Sequence, residues 1–463
     1  MGRYVAKPSL GLRSRTKRWV TGRRARVLFG ASGVSFMIML DSNIVAVSLP
    51  AIARSLNATF ADVEWVVSAY ILTFAAFLMP SGTLADRFGR RRVLVVGLAI
   101  FTLASLLCGL ALTPVILNVA RGLQGVGAAL QLSSALAVLS HEFRGAEKVR
   151  AFGFWGTMIG VAVTVGPIVG GLITSAFGWR WAFLINLPIG FALIAVVVKD
   201  VEESWDPEAL KLDIAGMILF GGGLLFLVWS LIGANEDGWS SRPTAVKLTA
   251  AAALLTLFIV AERVQKRPMV DFALFRERTF LGTSVAMLGF ASAAQVMMTY
   301  LPLYLQNEFG FRPATAGLGM LPFALPLFFC PRIAAALATR ISGRALLTIG
   351  LVVVAAGNLI SATLVAKQMP YAVVAVGMLV TGCGAGLLNG ETVKVLMGVV
   401  PPERGDMASG IGGTLRFVGL VIGVTGLGAV LESETERHFV QVMARSVLSD
   451  PAAGRRLGGG RFR

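Results

Sequence analysis

The chain has 463 residues, of which 56% are hydrophobic and only 14% charged, with a formal net charge of +17. A soluble protein of average composition carries about a quarter charged residues. A mean hydropathy of +0.75, with apolar runs of roughly 18 residues or more recurring along the whole chain, reads as an all-α polytopic membrane protein. A β-barrel would show short alternating segments instead. The positive charge gathers in the two tails and in alternate turns, so membrane topology and anionic lipid account for it and no nucleic-acid partner is expected. Cys108, Cys330 and Cys383 all fall in apolar runs, where they read as packing residues and not as a disulfide framework or metal site.

Residues 1–26 hold nine Arg and Lys and no acid. The apolar run that follows is full length, contains Asp41 and lacks a small-residue cleavage site, so this reads as a cytoplasmic tail before an uncleaved helix. Thirteen spans are expected at 27–49, 63–84, 93–112, 114–139, 152–176, 181–198, 212–232, 246–260, 279–303, 316–338, 344–366, 370–397 and 406–430. If the N-terminus is inside, the inner loops 85–92, 140–151, 199–211, 261–278, 339–343 and 398–405 hold most of the loop Lys and Arg, as the positive-inside tendency requires. The stretch 431–463 is polar; Phe439, Val440, Val442, Met443 and Val447 suit one face of an interfacial helix.

The turn Leu84-Ala85-Asp86-Arg87-Phe88-Gly89-Arg90-Arg91 recurs, degraded, as Leu337-Ala338-Thr339-Arg340-Ile341-Ser342-Gly343-Arg344. Both copies lie between a second and a third helix if a second half begins near Phe280. That placement predicts two duplicated bundles, 27–198 and 279–430, with the two helices of 199–278 inserted between them. Duplicated halves are typical of transporters, with the substrate site at their interface.

Polar residues inside the spans are the candidate chemistry. Asp41 lies within the first span, where a carboxylate is costly and marks a functional site by default; it is the expected proton-coupling or cation-binding acid, the plain alternative being a side chain capped by Ser42 or Asn43 near the interface. Arg121 opens R-G-L-Q-G-V-G-A-A in the fourth span, with Asn118, Gln124 and Gln131 at helical spacing. A guanidinium keeps its proton, so Arg121 is suited to hold an acid or a carbonyl. In the fifth span Gly156 and Gly160, then Gly166 and Gly170, form small-xxx-small faces, and Pro167 removes a backbone donor. Glu391 and Lys394 are expected to pair; Arg416 needs a partner, for which Glu391 is the candidate. No catalytic constellation, nucleotide-binding loop or cofactor motif is visible, so no enzyme and no metal are expected.

Taken together, L-D-S-N-I-V-A-V-S-L-P at 40–50, G-T-L-A-D-R-F-G-R-R at 82–91, R-G-L-Q-G-V-G-A-A at 121–129, G-P-I-V-G-G of the fifth span and W-R-W-A-F-L-I-N-L-P-I-G at 179–190 resemble the major facilitator superfamily, in particular its fourteen-helix drug:proton antiporter branch, which includes quaternary-ammonium and methylenomycin-resistance exporters. The resemblance covers about residues 30–430. It implies a monomeric exporter of hydrophobic or cationic drugs, driven by protons in a bacterial plasma membrane, with an endogenous metabolite exporter or a non-transporting relic as alternatives. Gly82, Asp86, Arg87, Gly89 and Arg90 would form a cytoplasmic latch between the halves. Asp41, Arg121, Gln124, Glu391 and Arg416 would serve proton coupling and transport. Gly156, Gly160, Gly166, Pro167, Gly170 and Gly171 would be the antiporter helix. Against that branch, Asn43 and Ala46 stand where Thr and Asn are common, Thr339 replaces an Asp in the second turn, and the fourteenth span is absent, which implies truncation or a tail folded otherwise.

Overall fold

A computed structural model describes residues 22–205, 213–265, 270–400 and 405–449. Among them thirteen helices are long and apolar enough to cross a membrane: Arg23–Leu56, Phe60–Phe88, Arg90–Gly109, Pro114–Glu142, Arg150–Phe177, Trp181–Asp200, Ile214–Ala234, Arg242–Val264, Arg278–Asn307, Pro313–Leu337, Gly343–Ala366, Tyr371–Gly398 and Gly410–Leu431. All thirteen expected spans are present. Most agree with the expected bounds to within a few residues, and the first, second, eighth and ninth run further; polar caps set some of these ends, with Thr59 and Asp62 forming a capping box at the second span and Thr113 capping the fourth ahead of Pro114. Such caps satisfy amide groups that a helix leaves without internal partners.

Four spans are interrupted among the described residues, the sixth at Ile185. The ninth carries a π-turn at Ala291–Gln295. The tenth breaks at Met320 and contains Pro326 and Pro331. The twelfth breaks at Asn389–Gly390, where Gly390 takes φ +100°, a conformation only glycine adopts without strain. The thirteenth span continues unbroken as helix to Ser449; the expected tail at 450–463 and the basic tail at 1–21 lie outside the described residues.

Spans one to six pack as one group, with the second and third against the fourth and the first against the fifth. In the second group the eleventh and tenth lie against the twelfth, and the ninth against the thirteenth. The seventh and eighth spans pair with each other, outside both groups, and the seventh leans on the second and thirteenth. Leu224, Val228 and Ile232 of the seventh join the main apolar core.

Every span reverses direction, so the bundle has two ends. The near end holds Arg23, the turn at 88–90 and the end of the sixth span. There Arg26 donates two hydrogen bonds to Asp200, at 2.8 and 2.7 Å, and Arg23 and Arg24 bond Glu142. The first, fourth and sixth spans are thereby tied together. The far end holds Leu56, Phe177 and Asn307.

Candidate functional site

The first span places Asp41 with no exposed surface midway along the first group of helices. Arg121, 1% exposed, donates from one terminal nitrogen to Asp41 Oδ2 at 2.8 Å and to Gln124 Oε1 at 2.7 Å, and from Nε to the Val66 carbonyl at 2.9 Å. Gln124 Nε2 donates to Asp41 Oδ1 at 2.9 Å and to Ser105 Oγ at 2.9 Å. Asn186 Nδ2 donates to Asp41 Oδ1 at 2.6 Å. The guanidinium also lies 4.2 Å from the Tyr70 ring centroid, a cation–π contact. Four spans and the head of the sixth thus converge on one carboxylate. Ser42 and Asn43 donate instead to the carbonyls of Ile38 and Met39, so they do not cap Asp41. Asn118 bonds the Asp62 carbonyl and stands apart from this network.

Two members of this network, Ser105 and Asn186, are not singled out by the sequence reading. Asn186 lies inside the quoted motif at 179–190, and a polar amide within an apolar run was the available signal.

The fifth span closes the far end between the halves. A Cβ built on Gly166 would lie 2.6 Å from Asn43 Cβ, and one on Gly170 would lie 2.7 Å from Ile44 Cα. Gly171 faces the Pro313 backbone and Gly317 of the tenth span faces the Pro167 backbone, each with room for no side chain. Gln306 donates to the Val47 carbonyl at 2.8 Å, and Ala314 N to Ser175 Oγ at 3.1 Å. Beside them Tyr300 Oη lies 2.6 Å from the Val424 carbonyl and 3.2 Å from Glu64 Oε1. Glu64 is 4% exposed and was not singled out from sequence. Toward the near end the fifth span loosens: a Cβ built on Gly160 would lie 3.1 Å from the Phe328 ring, but one on Gly156 or Gly153 would meet nothing within 4 Å. The span runs as continuous helix through Pro167.

A cavity lies between the halves, lined by Met39, Asn43, Tyr70 and Arg121 from the first group and by Phe290, Gln295, Met298, Phe323, Asn389, Arg416 and Phe417 from the second. No carboxylate is among its described lining residues. Arg416 does not reach Glu391 as expected. Its Nε donates to Gln295 Oε1 at 2.9 Å, while Glu391 pairs with Lys394 at 3.3 Å. The π-turn that ends at Gln295 adds a residue to one helical turn and shifts the register there, which spacing counted at 3.6 residues per turn does not capture.

The turn between the second and third spans is held by its own residues and by the end of the sixth span and the stretch just after it. Arg90 donates to Asp86 Oδ1 at 3.0 and 2.8 Å. Arg90 N donates to the Ser204 carbonyl at 2.9 Å, Arg91 N to Glu203 Oε1 at 3.0 Å, and Arg91 to the Val198 carbonyl at 2.7 Å. Gly89 takes φ +104° with Glu203 against it. Arg87 lies over Phe88, and Gly82 touches Ser133. The polar contacts of this turn among the described residues go to the turn itself, to the sixth span and to residues 203–204 that follow it, so the expected bridge to the second half is not made here.

The sequence matches the Major Facilitator Superfamily model over residues 31–424. It is 36% identical over 424 residues to Multidrug resistance protein Stp of Mycobacterium tuberculosis, covering 90% of this chain and 79% of that protein. It is 33% identical over 403 residues to the methylenomycin A resistance protein of Streptomyces coelicolor, covering 86% and 84%. Among solved structures, a D-xylose-proton symporter has a TM-score of 0.65 at 13% identity, covering 88% of this chain and 90% of the other; this is a likeness of fold.

Proposed function

The chain belongs to the major facilitator superfamily, and from that premise we propose that it is a proton-coupled exporter of drug-like amphiphilic compounds in a bacterial plasma membrane. The observation that carries this reading is the buried Asp41–Arg121 pair beside a cavity between two helix groups. A proton arriving on Asp41 cancels the charge that holds Arg121. Arg121 lines the cavity and Asp41 does not, so the guanidinium is the element through which the acid and a bound compound sense each other. The relatives named for multidrug and methylenomycin resistance support export as the direction.

On this reading the near end is cytoplasmic and the N-terminus inside, because the near-end turns carry most of the loop Lys and Arg. Residues 27–198 and 279–430 are the moving bundles, and 199–278 is an insert outside the alternating-access interface. The protein works as a monomer, with the substrate and protons as its partners. The state described here is then closed outside by the glycine contacts of the fifth and tenth spans. Reopening outside and closing inside would bring the Asp86–Arg90 turn to the second half.

The experiment is dye uptake into everted vesicles that contain the expressed chain and an acid lumen. Uptake that stops when nigericin collapses the pH gradient is the expected result. Uptake that continues unchanged after collapse would remove proton coupling from the account.

The gate turn makes a separate prediction. The side chains of Asp86 and Arg90 are 37% and 20% exposed, so their pair contributes at most about 1 kcal/mol to folding. Asp86→Asn should leave membrane level and thermal unfolding unchanged but lower the initial uptake rate several-fold. An unchanged rate would reduce the turn to a topological anchor.

A further inference from the structure

The two arginines on the cavity wall differ in one respect. Arg121 has Asp41 as counter-ion. Arg416, within the thirteenth span, has the neutral side-chain oxygen of Gln295 as its hydrogen-bond acceptor, and no carboxylate lies within ion-pair distance of it among the described residues. It shares the cavity wall with Asn389 and with the rings of Phe290, Phe417 and Tyr70. Its guanidinium carbon lies 5.4 Å from the Phe290 ring centroid. A guanidinium has five N–H donors and keeps its charge, and one facing a cavity at mid-membrane without a counter-ion is costly. The rings line the remaining wall with flat apolar surface.

We propose that Arg416 is the anchor of a binding site for aromatic compounds carrying an anionic group, a carboxylate or an ionised phenol. This rests on the export reading above and names its substrate class. The anion takes the terminal nitrogens that Gln295 leaves open, in the forked geometry guanidinium groups favour, and the aromatic body lies against Phe290, Phe417 and Tyr70. Gln295, at the end of the π-turn, and Asn389, at the break in the twelfth span, sit on non-regular backbone; π-turns and similar interruptions recur at functional sites. A permanent cation would meet Arg416 with no wall acid to offset it.

The test is equilibrium binding to the purified full-length protein in nanodiscs at neutral pH, followed by fluorescence polarisation. The probes are fluorescein, an anionic xanthene, and rhodamine 123, a cationic xanthene of nearly the same shape. Wild type should bind fluorescein at least about tenfold more tightly than rhodamine 123, since tenfold corresponds to one modest ionic contact of about 1.4 kcal/mol. Arg416→Gln should weaken fluorescein at least tenfold and leave rhodamine 123 unweakened, and Arg416→Lys should fall between. Equal or tighter wild-type binding of rhodamine 123, no binding of either dye, or equal loss of both dyes in Arg416→Gln would each overturn the site. Where the glutamine variant does not elute as a single species, the wild-type dye ratio and the lysine variant decide. Retained fluorescein binding with no vesicle transport would count against the export reading and leave the site standing.

Discussion

Asp41→Asn is expected to abolish gradient-driven uptake and to lower the stability of the folded protein by about 3 kcal/mol, the lower range for breaking a buried ion pair by removing one partner. The geometry gives the reason. Asp41 accepts from Gln124 and Asn186 on one oxygen and from Arg121 on the other. An asparagine that keeps its oxygen toward the two amides presents its NH2 group to Arg121, so two donors face each other beside an uncompensated charge. Arg121→Lys tests the same network from the other side. One ammonium cannot reproduce the Nε bond to the Val66 carbonyl together with the shared bonds to Asp41 and Gln124. Thermal unfolding in detergent and initial uptake rates check both. A variant at Asp41 with wild-type rate and stability would show the pair to be a bystander.

Gly171→Val and Gly317→Val should each lock transport by holding the far end open. The added side chain meets carbonyl and Cα atoms of the Pro313 or Pro167 segment, which cannot swing aside as a side chain can. Overpacking of this kind costs about 1–3 kcal/mol, and 1.4 kcal/mol is about tenfold in a population. The closed state should therefore lose roughly ten- to a hundredfold in population. A cysteine placed at Gln306, which is buried against the Val47 carbonyl of the first span, in a background with Cys108, Cys330 and Cys383 replaced, should become reactive to a membrane-impermeant maleimide in these variants. Gly156→Val meets no atom within 4 Å in this state, so far-end labelling should stay at its original level there. Equal labelling in all three variants would mean that the fifth and tenth spans do not form the far-end closure.

The architecture was legible because a bilayer leaves little choice. Apolar runs near 20 residues must be helices, and all thirteen are present. Asp41, Arg121 and Gln124 were legible for the same reason, since polar groups in such runs are rare and need one another. What spacing could not supply was partnership across distant spans. Arg416 was visible as an intramembrane charge, but its acceptor is Gln295 and not Glu391, and spacing along one span does not say which distant span it meets. Glu64 was passed over because an acid in the first turns of a helix reads as a complement to the helix dipole. Only the packed structure brings it to Tyr300 of the other half. Ser105 is silent in sequence, since serines are common on close-packed membrane helices. The latch expected at Asp86–Arg90 is not formed in the structure, where the turn bonds within itself and to Glu203 just after the sixth span.

The central claim is that Asp41 carries the proton that exchanges with the exported compound. Its most direct measurement is proton movement in proteoliposomes with no imposed pH gradient, driven by a gradient of a transported dye and read by a trapped pH indicator. The wild-type protein should move protons opposite to the dye, and Asp41→Asn, at equal reconstituted amount, should exchange dye for dye while moving none. Proton movement by Asp41→Asn at the wild-type rate would contradict the account.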